Sequence, residues 1–124
     1  MYLAIVLTPE SQEALKQLIP EFALKWTAYC HHCTITMGSN KKKKYDYSPG
    51  DIVTMNVTHI GFSDTNVAAA VTVPRPIKNR IPHVTMSVNR EAGGKPFFSN
   101  KIEKWVSLEE GHTFALEGVV ELCE

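Results

Sequence analysis

The chain has 124 residues, 44% hydrophobic and 21% charged, which suits one domain (1–124) with its own core and leaves no need for a metal or disulfide staple. No apolar run approaches the ~18 residues of a membrane span, and "MYLAIVLTPE" lacks the basic start of a signal peptide, so the expected setting is intracellular, cytoplasmic or nuclear. The formal charge is zero, but residues 41–104 carry eleven Lys and Arg against five Asp and Glu, which leaves room for a local anion-binding surface.

In chain order, "YLAIVL" predicts a strand, and Thr8-Pro9 supplies the cap and first-turn proline of a helix through "ESQEALKQLI". "HCTITM" alternates as a strand, and "SNKKKKYDYSPG" reads as a polar loop closed by Pro-Gly. "DIVTMNVTHIGF" and "NVAAAVTV" predict a hairpin turning at "SDT". The proline-punctuated "PRPIKNRIP" leads into a further strand, "HVTMSV", and then the loop "NREAGGKP". "FSNKIEKWVSLE" suits a short helix capped by Ser99 or Asn100, and "HTFALEGVVELC" a closing strand interrupted at Gly118. The whole reads as α+β, dominated by antiparallel sheet.

"YCHHCTITMG" concentrates two cysteines and two histidines. As a strand it would place Cys30, His32, Thr34 and Thr36 on one face and His31, Cys33, Ile35 and Met37 on the other. The cysteines then point apart, which disfavours a shared metal. Three cysteines are also too few and odd in number for a secreted disulfide framework. A redox CxxC sits at a helix start, and "TITMG" is not helical. Cys33 is expected as a small core residue, and His31 as solvent-facing or capping.

The informative pattern is a repeat. His32-Cys33-Thr34-Ile35 recurs 51 residues later as His83-Val84-Thr85-Met86, each at the start of a predicted strand. Histidine and threonine two apart share a face, so two such strands side by side would offer two imidazoles and two hydroxyls to one cleft. Opening a cyclic phosphodiester needs a base for water and an acid for the departing ribose oxygen, and histidine serves either role near neutral pH. Threonine hydroxyls can donate to the phosphate oxygens. This chemistry implies no metal and no cofactor.

With the leading "YLAIVLTPESQEALKQLI", the pair "HCTI" and "HVTM" resembles the two-histidine phosphoesterase superfamily. "PHVTMSV", "GGKPFFSNKI" and "FALEGVVEL" are similar to the cyclic phosphodiesterase domain of eukaryotic-type tRNA ligases, which opens 2′,3′-cyclic phosphate RNA ends before sealing. The resemblance implies two lobes of antiparallel sheet with outer helices around a central groove. It assigns His32 and His83 as the catalytic pair and Thr34 and Thr85 as phosphate holders. It makes His83 the base, His32 the acid on O3′, and the product a 2′-phosphate. Lys95 and Ser99 follow as substrate contacts. The 51-residue spacing is short for the family and His31 replaces a usual apolar residue, which implies trimmed lobes and an open groove.

"KKKKYDY" either overhangs that groove, attracting RNA while Tyr45 or Tyr47 stacks on a base, or forms a solvated loop. Arg75, Lys78 and Arg80 would add to the same field or remain surface charge. His59, His112, Trp26 and Trp105 are read as structural. The expected partner is an RNA 2′,3′-cyclic phosphate end or a small nucleotide, bound by a monomer without membrane contact, and Met1 favours a free-standing domain. Two rivals stay open: hydrolysis of 2′-5′ oligoadenylate or cyclic oligonucleotide signals, and RNA binding without turnover.

Overall fold

The apolar run Tyr2–Leu7 forms strand β1, and Thr8 then starts a helix. Thr8 is extended and its hydroxyl accepts from the Ser11 N–H, while Pro9 takes the first turn, so α1 (Pro9–Lys16) begins where cap and proline dictate. The computed structural model describes residues 1–109 and 114–124. His112 therefore lies outside the described residues. A 3-10 turn (Glu21–Ala23) and the short strand β2 (Thr27–Ala28), which has no marked signal in the sequence, lead to β3 (His32–Met37).

Next come β4 (Ile52–Phe62), β5 (Asn66–Thr72), β6 (His83–Val88), a 3-10 segment (Pro96–Lys101), β7 (Lys104–Ser107) and β8 (Phe114–Cys123). All pairings are antiparallel. The order β6-β3-β1-β8-β4-β5 returns to β6 through β5, so six strands close a barrel, with β2 and β7 added at its rim. Alternation sends Leu3, Ile5, Ile35, Met55, Met86 and Val120 inward, each essentially without exposure. Mostly antiparallel sheet is as the sequence predicts. Among the described residues the helical part is one short α-helix and two 3-10 segments, and the strands join in one sheet.

Two expectations about the C-terminal third are corrected. Helical structure lies at Pro96–Lys101, ahead of the expected cap, because Pro96 fixes the entry; Lys104–Ser107 is strand. β8 pairs with β4 over Ile52–Val57 only, which leaves the edge of His59–Phe62 free for β7. Gly118 does not interrupt β8. It sits in register with Leu7 and Val53, and a Cβ there would come 2.7 Å from Ile5 Cγ2 and 2.8 Å from the Val6 carbonyl oxygen. The glycine permits close backbone approach instead.

Candidate active site

The seam between β3 and β6 is the weakest of the barrel: Cys33 and Val84 are its one register pair. Both side chains are fully buried, so the flanking residues of each motif face the other way. His32 and Thr34 from β3, with His83 and Thr85 from β6, line a single cleft of about 900 Å³. None of the described residues lining it is acidic, whereas Lys78 and Arg80 are among them. They reach it because the Lys78 N–H donates to the Ile35 carbonyl and fastens that connection along β3.

His83 is nearly buried, and its Nδ1 lies 2.8 Å from the Ile81 carbonyl oxygen. A carbonyl only accepts, so Nδ1 carries the proton and the neutral ring keeps a lone pair on Nε2. Burial lowers the His83 pKa, opposed by that hydrogen bond. His32 lies under the Tyr2 ring, centroids 5.1 Å apart. Burial lowers its pKa to about 4, and the positive charge that His31 and His83 can carry acts in the same direction. Both rings are thus neutral at pH 7.

His31 departs from the strand alternation. The Cys30 N–H donates to the Thr85 carbonyl, whereas Cys33 pairs with Val84, so His31 and His32 are extra residues opposite a single step of β6. Cys30, with φ 49°, begins this bulge, and bulges re-aim side chains. His31 is exposed as expected, yet it lines the cleft and its Nδ1 lies 3.1 Å from Nδ1 of His32. Cys30 and Cys33 are both fully buried, and burial pushes each thiol up to about 12, so neither is a thiolate near neutrality. Among the described residues no group of three His, Cys, Asp or Glu is placed to hold a metal.

Behind Thr85 stands a buried polar chain whose first link the sequence reading missed. Asn66, wholly buried, donates from Nδ2 to the Lys95 carbonyl at 2.9 Å and to Ser99 Oγ at 3.1 Å. Ser99 Oγ is in turn 2.9 Å from Thr85 Oγ1. If Ser99 donates onward, the Thr85 proton is held only by a long 3.5 Å contact to the Pro96 carbonyl and can turn to a ligand. Ser99 is 1% exposed but lines the cleft beside Thr85, whereas the Lys95 side chain is exposed and is not part of the cleft lining. Asn66 follows the turn "SDT" in the sequence, and no local signal sets it apart.

The lysine run does not line the cleft. Tyr47 is buried, its hydroxyl donating to the Arg75 carbonyl and accepting from the Arg75 N–H at 3.1 Å. Tyr47 therefore cannot stack on a base. Arg75 lies over that ring at 4.5 Å and near Asp46 and Asp51, away from the cleft. His59 sits in β4 beside the Thr58 hydroxyl, 2.9 Å away. Trp26 packs against the core, while Trp105 covers Gly61, whose absent Cβ would otherwise lie 2.4 Å from the indole, and lines the cleft mouth. No helix among the described residues is long and apolar enough to cross a membrane.

The family model of the fungal tRNA ligase phosphodiesterase domain matches residues 12–122, a span that contains both His-x-Thr strands. No curated protein and no solved structure shows a significant match. On that span, the chain belongs to the fungal tRNA ligase phosphodiesterase domain family, a domain of the two-histidine phosphoesterase type.

Proposed function

We propose that the protein is a metal-independent 2′,3′-cyclic phosphodiesterase that opens cyclic phosphate RNA ends, or small cyclic nucleotides, to a 2′-phosphate. The observation that carries this reading is the meeting of the two His-x-Thr motifs on neighbouring strands in one cleft without an acidic lining residue among those described. His83, with Nδ1 committed to the Ile81 carbonyl, offers Nε2 as the base. It takes a proton from water as the water oxygen attacks phosphorus. The P–O3′ bond breaks, and O3′ takes a proton from His32 on the opposite side.

Thr34 and Thr85 donate to the non-bridging oxygens, whose charge grows in the transition state, and Lys78 and Arg80 supply the surrounding positive field. The test is hydrolysis of a nucleoside 2′,3′-cyclic phosphate and of an RNA carrying that end, with the product phosphate located by phosphorus NMR. A 2′-phosphate is expected. Turnover of 2′-5′ oligoadenylate or a cyclic oligonucleotide in its place would redirect the substrate assignment, and binding without product would leave an RNA-binding module.

A further inference from the structure

His32 has a difficulty as an acid. It is partly buried under Tyr2, it is neutral near pH 7, and among the described residues no backbone carbonyl holds a proton on its Nδ1, unlike His83. Among the described residues its ring-nitrogen partner is Nδ1 of the exposed His31, at 3.1 Å. In an Nδ1···Nδ1 pair one ring must donate and the other accept. If His31 donates, neutral His32 carries its proton on Nε2, the opposite tautomer to that of His83. One cleft then presents an Nε2 lone pair from β6 and an Nε2 proton from the β3 motif.

We propose that His31 is a proton relay: it passes its Nδ1 proton to Nδ1 of His32 as His32 releases its Nε2 proton to the departing oxygen. This rests on the reading that His32 is the acid. The balance closes with solvent alone. His31 takes a proton on Nε2 from water while losing the one on Nδ1, and His32 keeps one proton throughout. After product leaves, water in the open cleft restores the proton on His32 Nε2, the bridging proton returns to His31, and His31 gives up its outer proton. No charged imidazolium need build up on His32, which its burial would oppose.

The other titratable or charged groups around the pair are few. Tyr2 from β1 lies against the His32 ring, and His83 faces it from β6. Lys78 and Arg80 come from the connection before β6, and Tyr29 stands just ahead of the bulge. None of these groups hydrogen-bonds a His32 ring nitrogen, so the relay runs through His31. His31 acts through His32, and a purely orienting role is separable from a relay by substitution. Glutamine at position 31 can still donate one hydrogen bond but cannot pass a proton.

The experiment measures kcat and KM for wild type, His31→Ala, His31→Gln and His32→Ala on a nucleoside 2′,3′-cyclic phosphate, with and without imidazole in the buffer. Both His31 variants should lose about 10-fold in kcat at unchanged KM, less than the loss of a direct acid. Added imidazole should restore His31→Ala. Wild-type kcat in His31→Gln would reduce His31 to an orienting residue, and wild-type kcat in His31→Ala would remove it from the reaction; either overturns the relay while leaving the two-histidine reading intact. A fully active His32→Ala would instead overturn the reading underneath.

Discussion

The side-chain amide of Asn66 lies 3.1 Å from the hydroxyl of Ser99; both are buried, Ser99 at the cleft wall and Asn66 one layer behind it. Asn66 is also held by the Thr65 hydroxyl, which donates to its Oδ1 at 2.7 Å, so the amide is fixed at both ends. Ser99→Ala should keep the fold but release the Thr85 hydroxyl, lowering kcat/KM by roughly 3- to 10-fold, about the worth of one hydrogen bond. Asn66→Ala removes the buried donor to Ser99 Oγ and the Lys95 carbonyl, and the acceptor of the Thr65 hydroxyl, and should cost about 1–3 kcal/mol of stability as well. Thermal melts beside steady-state kinetics separate the two effects.

Replacing either histidine of the repeat tests the acid–base assignment directly. His32→Ala and His83→Ala should each reduce turnover by roughly 10²- to 10⁴-fold with the melting temperature little changed. EDTA should leave the wild-type rate as it was, since neither of the proposed proton transfers calls on a metal. Undiminished turnover in either variant would sink the assignment.

The lowered pKa values make stability depend on pH with a definite sign. Unfolded, His32 and His83 bind protons as pH falls through about 6.5; folded, burial keeps them neutral further down, His32 to about 4. The unfolded state then holds more protons, so stability falls as pH drops from about 6.5 towards 4, by on the order of 1–3 kcal/mol for His32. Urea midpoints between pH 4 and 7 should trace this slope, and His32→Ala should flatten it. The acidic limb of kcat/KM, which the proposed base His83 would set, should likewise lie below 6.5. An acidic midpoint above 6.5 would contradict the burial argument.

Gly118 offers a test of the barrel apart from the chemistry. Gly118→Ala would press a methyl group against the Val6 carbonyl and Ile5, between two strands that cannot both retreat. A loss of about 1–3 kcal/mol is expected, as for other overpacked sites. An unchanged urea midpoint would show that β8 has slack there.

Much of this arrangement is legible in the sequence wherever local rules govern. Thr8-Pro9 marks the start of α1, and the two-residue spacing of His32 to Thr34 and His83 to Thr85 fixes which side chains share a face. What escapes is what depends on distant partners. His31 reaches the cleft because a bulge against β6 breaks the alternation, and that register is set by a strand 51 residues away. Trp105 joins a strand because β8 leaves part of β4 unpaired, and Asn66 matters through Ser99, 33 residues on. Tyr47 sits in a polar run, yet Arg75 draws it into the core.

With Cys33 and Val84 as their one rung, β3 and β6 do not set their own spacing. The other five seams of the ring do, as hoops set the gap between two staves. The distance from one imidazole to the other is therefore a property of the whole circumference. A substitution on the far side, in β8 or β4, can detune the pair by fractions of an ångström without touching it. In this protein, catalytic rate and barrel geometry should drift together, and rate should be the finer gauge of the two.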